Sequence, residues 1–189
     1  MLISSFYGDA FAGQFALRLK GSAKHFDIDT DLFKWEHGAS EADRSRLRSV
    51  LLARNLLEHP AEDVLFVEPD ACFQRRPDIL LDEKDYDVGV YYDLSTLEVS
   101  GPIFLRNNSA SRRLLRAWQA LSKSQPEATE YETLSRILSR PGFPLEVRRL
   151  PVTYAWVERL HRDVHPASNP VIVHFKTDGL LSSRIRIAR

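Results

Sequence analysis

The chain has 189 residues, 43% of them hydrophobic, which suits one domain with a buried core. Lys plus Arg number 26 and Asp plus Glu number 26, so the formal charge is zero. That balance argues against a nucleic-acid binder, whose affinity rests largely on neutralising phosphates.

In chain order, residues 2–6 read as a short buried strand ended by Tyr7-Gly8-Asp9. Residues 11–20 are helix-like, with Phe11, Phe15 and Leu19 four apart on one face. Residues 26–35 have strand character, Phe26 and Ile28 alternating with Asp27 and Asp29. Ser40, with Asp43 three residues on, predicts a helix start. That helix would turn Leu47, Val50, Leu51 and Leu57 inward and its arginines outward, and would end at His59-Pro60. Residues 64–67 (Val-Leu-Phe-Val) form the clearest buried strand, apolar throughout and flanked by polar residues. Residues 88–92 and 102–105 read as two more. Asn107-Asn108-Ser109 opens a helix carrying Leu114, Leu115, Trp118 and Leu121, and a further helix spans 127–139, with Tyr131, Leu134 and Leu138 on one side, before Pro141-Gly142. Residues 147–150 and 171–175 are late strands, and 177–189 form a short basic tail.

Strands alternating with helices predict one α/β domain over 1–189, with a mixed, mainly parallel sheet flanked by helices. Cys72 is the only cysteine, so no intrachain disulfide can form, and it reads as a small buried residue. No apolar run approaches the roughly 20 residues of a membrane span. The first residues lack a basic segment followed by a long apolar stretch, so no signal peptide is expected and the cytoplasm is the default compartment.

The most informative segment is Val64-Leu65-Phe66-Val67-Glu68-Pro69-Asp70, a buried strand running into two carboxylates. Ligands of open α/β sheets bind beyond the carboxyl ends of the strands. Pro69 cannot donate a ladder hydrogen bond, so the strand stops there. Two acids at that edge suit a hard divalent cation that also takes diphosphate oxygens; alternatively they are ordinary polar residues of a loop. A second segment, Val171-Ile172-Val173-His174-Phe175-Lys176-Thr177-Asp178-Gly179, ends a strand in a histidine and then a lysine. His174 is either a metal ligand or a strand-end histidine bonded to backbone. Lys176 suits a phosphate, and Gly179 would let backbone approach a ligand.

At these residues the chain resembles a GT-A-type glycosyltransferase, a nucleotide-diphospho-sugar transferase, in a compact form like that of bacterial or phage members. The likeness covers most of the chain. It runs from the first strand, Ile3-Ser4-Ser5-Phe6-Tyr7, through the Arg-rich helix over 45–57 to Glu68-Pro69-Asp70, which resembles the family's Asp-x-Asp motif. Asp85 to Val90 and Ser100 to Leu105 resemble the next two strands, Glu130-Tyr131-Glu132-Thr133-Leu134 an Asp-Gln-x-x-Leu helix start, and Leu150-Pro151-Val152-Thr153-Tyr154-Ala155-Trp156 a Leu-Pro-x-x-Tyr-x-Trp segment. The resemblance implies a Rossmann-like fold and sugar transfer from a nucleoside-diphosphate sugar, UDP- or GDP-linked, assisted by Mn²⁺ or Mg²⁺. It implies that Asp70 and His174 ligate the metal with Glu68 assisting and contacting the ribose. It further implies that Lys176 lies near the diphosphate, that Ser5, Phe6 and Tyr7 lie near the base, and that Gly101 approaches the sugar. The acceptor, whether glycan, lipid-linked or protein, is not implied. The chain departs from the pattern at Glu68, Pro69 and the Glu130-Tyr131 pair, and it is short for the family.

Arg48, with Arg44 and Arg46, is a candidate for a phosphate oxygen or else part of a solvated helix face. Asp93 is a candidate for a sugar hydroxyl or a turn. Glu130 and Glu132 are candidate general bases for the acceptor hydroxyl, although acids are favoured at a helix start in any case. Trp118, Trp156 and Phe104 read as core aromatics. Two other readings remain: a binding or assembly module that has lost turnover, and a nucleotidyltransferase. The second would need a basic Gly-rich loop after the first strand, where this chain has Tyr7-Gly8-Asp9-Ala10-Phe11-Ala12-Gly13.

Overall fold

A computed structural model describes residues 1–35, 46–93, 95–165 and 168–175. The expected helix start at Ser40, as well as Arg44, Lys176, Gly179 and the basic tail, lies outside them. Strand β1 (Leu2–Tyr7) leads to helix α1 (Ala10–Lys24), which is capped by Asp9: its Oδ1 accepts from the Ala12 N–H at 2.7 Å. The buried face of α1 is Ala16, Leu19 and Ala23, and Phe11 is 55% exposed. The expected Phe11–Phe15–Leu19 stripe is therefore rotated, because the alanines let the helix backbone sit closer to the sheet than phenylalanines would. Strand β2 (Asp29–Lys34) begins later than its apolar pattern, since Asp27 takes a left-handed φ of 56° and turns the chain.

Helix α2 (Leu47–Glu58) buries Leu47, Leu51, Leu52 and Leu56, while Val50 and Leu57 face out. It also buries Arg48, contrary to an arginine-lined outer face. Strand β3 (Val64–Phe66) is followed by β4 (Ala71–Phe73), the short helix α3 (Asp78–Asp82), β5 (Val88–Tyr92) and β6 (Val99–Leu105). Strand β6 starts at Val99 rather than Pro102 because it continues to pair with β5 past an irregularity, Tyr92 opposite Val99. Helix α4 (Ser109–Ser124) is capped by Asn108. Helix α5 (Glu130–Leu138) starts at Thr129, where a capping box with Glu132 sets the boundary. Strand β7 (Val147–Arg149), a 3₁₀ turn (Val152–Tyr154), β8 (Trp156–Val157), α6 (Glu158–His161) and β9 (Ile172–His174) complete the order.

The main sheet has six strands in the order β2-β1-β3-β6-β5-β7. The pairs β1–β2, β1–β3 and β5–β7 are parallel, and β3–β6 and β5–β6 are antiparallel. It is thus the expected mixed, mainly parallel sheet. Alternation along the strands divides the core between two faces. Val64, Phe66, Ile103 and Leu105 pack with Leu52 and Leu56 of α2, Leu114 and Trp118 of α4 and Leu134 of α5. Leu65, Phe104 and Ile3 pack on the opposite face with Leu19 of α1 and Phe73 and Ile172 of a second sheet. That sheet has the order β4-β9-β8. Cys72 lies buried in β4. Among the described residues no helix is long and apolar enough to cross a membrane.

Phe104 is fully buried. Phe104→Ala should cost about 3–5 kcal/mol of stability, read from the urea midpoint. A loss below about 1 kcal/mol would be typical of a surface position and would contradict this packing.

Candidate active site

Strands β3 and β5 run in the same direction, because each is antiparallel to β6 between them. Their carboxyl ends therefore deliver Glu68-Pro69-Asp70 and Asp93 to one edge of the sheet. The Ala71 N–H donates to the Glu68 carbonyl at 3.0 Å, closing a turn with Pro69 at its second position. The turn feeds β4, whose Ala71 stands opposite His174 of β9. This register brings the second acid to the histidine: Asp70 Oδ1 and His174 Nδ1 lie 3.1 Å apart. Both side chains are largely buried, 12% and 8% exposed. Among the described residues His174 Nε2 has no hydrogen-bond partner, so the ring is held through Nδ1 alone.

Glu68 faces a different partner. The Arg48 NH2 group donates to Glu68 Oε1, and its NH1 donates to Glu130 Oε2 at 3.0 Å. The backbone N–H groups of Arg48 and Ser49 point at the same Glu130 carboxylate, both at 3.4 Å. The Tyr131 hydroxyl donates to the Gly101 carbonyl at 3.0 Å and lies 3.3 Å from Glu68 Oε1. The guanidinium carbon of Arg48 sits 4.7 Å from the Tyr131 ring centroid, 5.2 Å from Phe66 and 5.6 Å from Phe6. Burial works against the charge on Arg48, but Glu68, Tyr131 and Glu130 outweigh it and raise its pKa. Burial pushes Glu130 up from 4.5 to about 7, against the pull of Arg48 and the Ser49 N–H. The Tyr131 hydroxyl is raised by burial, with Arg48 opposing.

The remaining sequence candidates divide clearly. Glu132 Oε2 accepts from the Thr129 N–H at 2.7 Å within the capping box. Asp93 Oδ1 accepts from the N–H groups of Ser95 at 2.7 Å and Thr96 at 3.2 Å, the turn reading of that residue. Burial raises the Asp93 pKa, but these bonds outweigh it and the net shift is downward. Ser5 is fully buried, whereas Phe6 and Tyr7 are partly exposed at the end of β1. Gly101 has a φ of +78°, and a Cβ there would meet Ala155 Cβ at 3.3 Å. Glycine is thus demanded by the backbone itself. Glu68, Asp70 and His174 do not converge: among the described residues no three His, Cys, Asp or Glu side chains are grouped to hold a metal.

Sequence reasoning missed the Arg48–Glu130 pair, 82 residues apart, for which no local signal exists. It also missed a ring cluster in which His161 lies 5.4 Å from Trp156 and 6.4 Å from His165. The His161 Nδ1 accepts from the Val157 N–H at 2.8 Å, and burial, then His165, lowers its pKa while Asp93 opposes. The i, i+4 spacing of the two histidines was the available clue. A cleft of about 550 Å³, lined by Asp63, Lys84, Asp87, Arg106 and Asn107 among others, lies at the opposite edge of the sheet. Arg106 there is bound to Asp63 Oδ2 at 2.6 Å and to the Leu80 carbonyl at 3.2 Å, a structural clasp.

The family model of nucleotide-diphospho-sugar transferases matches residues 24–180. No curated protein matches the chain in sequence. A solved glycosyltransferase involved in glycosylation of the major capsid of PBCV-1 is similar with a TM-score of 0.72 and 11% identity, over 92% of this chain and 91% of that one. Galactosyltransferase LgtC, solved in complex with donor and acceptor sugar analogs, is similar with a TM-score of 0.57 and 14% identity, over 94% of this chain and 88% of that one. At such identities the likeness is one of fold.

A carboxyl group raised by folding destabilises the native state as it ionises. The Glu130 contribution to stability is therefore full below 4.5 and falls as pH rises to about 7. Urea midpoints across that window should fall more steeply in the native protein than in Glu130→Gln. Equal slopes would show that Glu130 does not titrate there.

Proposed function

Because the chain belongs to the nucleotide-diphospho-sugar transferase family, and so is a glycosyltransferase acting with nucleotide sugars, we propose that transfer is metal-dependent and that Asp70 and His174 hold the cation. A Mn²⁺ or Mg²⁺ ion bound there would neutralise charge on the departing diphosphate. The observation that carries this reading is the pair of Asp70 and His174, whose Oδ1 and Nδ1 lie 3.1 Å apart at the carboxyl edge of the sheet, a separation that one cation with bonds of about 2.0–2.6 Å can bridge. Tyr7 and Phe6, at the exposed end of β1 on the same edge, suit a UDP or GDP base by stacking. Arg48, charged and held by two carboxylates, adds a fixed positive potential beside the diphosphate. Lys176, two residues past His174 in sequence, would add a second positive charge. Catalysis then rests on positioning and preorganised electrostatics, with no covalent step required of the protein. The acceptor is a glycan, lipid-linked or protein hydroxyl.

A second reading, a binding or assembly module without turnover, is favoured by one observation. Glu130, Glu132 and Asp93 each have a structural partner, in an ion pair, a helix cap and a turn. An inverting reaction would need a base from elsewhere, supplied by the acceptor side or by residues beyond those described.

A nucleoside diphosphate at about 100 times its Kd should stabilise the protein by about 2.7 kcal/mol, a melting shift of about 5–10 °C at this chain length. The shift should require Mn²⁺ and should be larger for UDP or GDP than for the monophosphate CMP. Asp70→Asn should abolish the metal-dependent part while melting near the native temperature. An undiminished shift in that variant would sink the assignment, and no shift with any nucleotide would favour the module.

A further inference from the structure

Resting on the metal-dependent reading, we propose that Glu68 anchors Arg48 and is not a metal ligand, so that among the described residues Asp70 and His174 alone are offered to the cation, which is captured together with the nucleotide diphosphate. Glu68 Oε1 already takes the Arg48 NH2 group and stands 3.3 Å from the Tyr131 hydroxyl. The Arg48 side chain is only 10% exposed, and the Glu68 side chain only 14%. Turning Glu68 toward a cation would remove one of the two carboxylates that neutralise and solvate a buried guanidinium. Stripping a partner from a buried ion pair is strongly unfavourable. The carboxylate cannot serve both sites at little cost, because the turn through Pro69 holds its backbone and Arg48 is fastened independently to Glu130 at 3.0 Å.

Asp70 stands on the other side of that turn, against His174 of β9. The two acids of the motif are thus committed to different neighbours, which is why no three-ligand group forms among the described residues. Glu68 becomes a positioning residue: it holds the Arg48 charge beside the site and acts on the sugar diphosphate through it.

Hard divalent cations seek six or more oxygen-rich positions. Two protein ligands leave most positions to diphosphate oxygens and water, so the free protein should hold the cation weakly and the nucleotide should strengthen it. Linkage then requires the cation to strengthen the nucleotide by the same factor.

The test is a Mn²⁺ titration of the full chain followed by electron paramagnetic resonance of the free ion, without nucleotide and with saturating UDP or GDP. The native protein should bind Mn²⁺ at least about tenfold more tightly with one of the nucleotides than alone. Glu68→Gln keeps an acceptor oxygen for Arg48 and removes the charge, so its Mn²⁺ affinity with nucleotide should stay within about twofold. Asp70→Asn should lose about tenfold or more, the scale of a disrupted metal site. A Glu68→Gln loss equal to that of Asp70→Asn would overturn the proposal while leaving the metal site intact. Equally tight Mn²⁺ binding by the native protein without nucleotide would overturn it too, and decides the matter even if Glu68→Gln fails to fold. Indifference of Mn²⁺ binding to Asp70→Asn would instead refute the underlying metal assignment.

Discussion

The buried charge of Arg48 is the constraint on which the rest of the site depends. A guanidinium taken out of water is tolerable only with paired charge and satisfied donors. Here the pairing comes from Glu68 at the end of β3 and Glu130 at the start of α5, with Tyr131, Phe66 and Phe6 enclosing the cation. The arginine itself opens α2, so one side chain joins two helix starts to the motif loop. Trp118 of α4 extends the network by donating its indole N–H to the Glu130 carbonyl at 3.0 Å and to Thr133 Oγ1 at 3.1 Å. The same contacts that seat α2, α4 and α5 over one face of the sheet also hold a positive charge near its carboxyl edge.

The second sheet performs the complementary task on the opposite face. Without β4 the motif would end in a free loop. By turning at Pro69 and pairing with β9, the chain carries Asp70 to His174 across 104 residues of sequence. The apolar residues of this sheet, Phe73 and Ile172, join the core beneath it. The geometry of the Asp70–His174 pair is thus set by paired strands rather than by a loop.

Much of this was legible in the residues. The run Val64 to Val67 announced a buried strand, and the acids following it fell at the edge where α/β sheets bind ligands. The Phe66, Phe104 and Trp118 side chains are core as their chemistry suggested. Helix faces were less legible: Phe11 and Val50 match a periodic stripe but face out, because Ala16 and Leu52 fit the sheet better. Arg48 reads as a surface residue in isolation, since its burial depends on acids 20 and 82 residues away. The strands β4 and β8 are too short, at 3 and 2 residues, for alternation to mark them. The roles of Glu132 and Asp93 were ambiguous because acids serve caps and turns by the same hydrogen bonds that would serve chemistry.

The most direct test of the account is a crystal structure of the protein grown with Mn²⁺ and the nucleoside diphosphate that stabilises it. The account predicts the ion within about 2.0–2.6 Å of an Asp70 oxygen and of His174 Nδ1, the diphosphate completing its shell, and Glu68 still on Arg48. A nucleotide seated instead in the cleft at the opposite edge, or an ion that avoids His174, would contradict it.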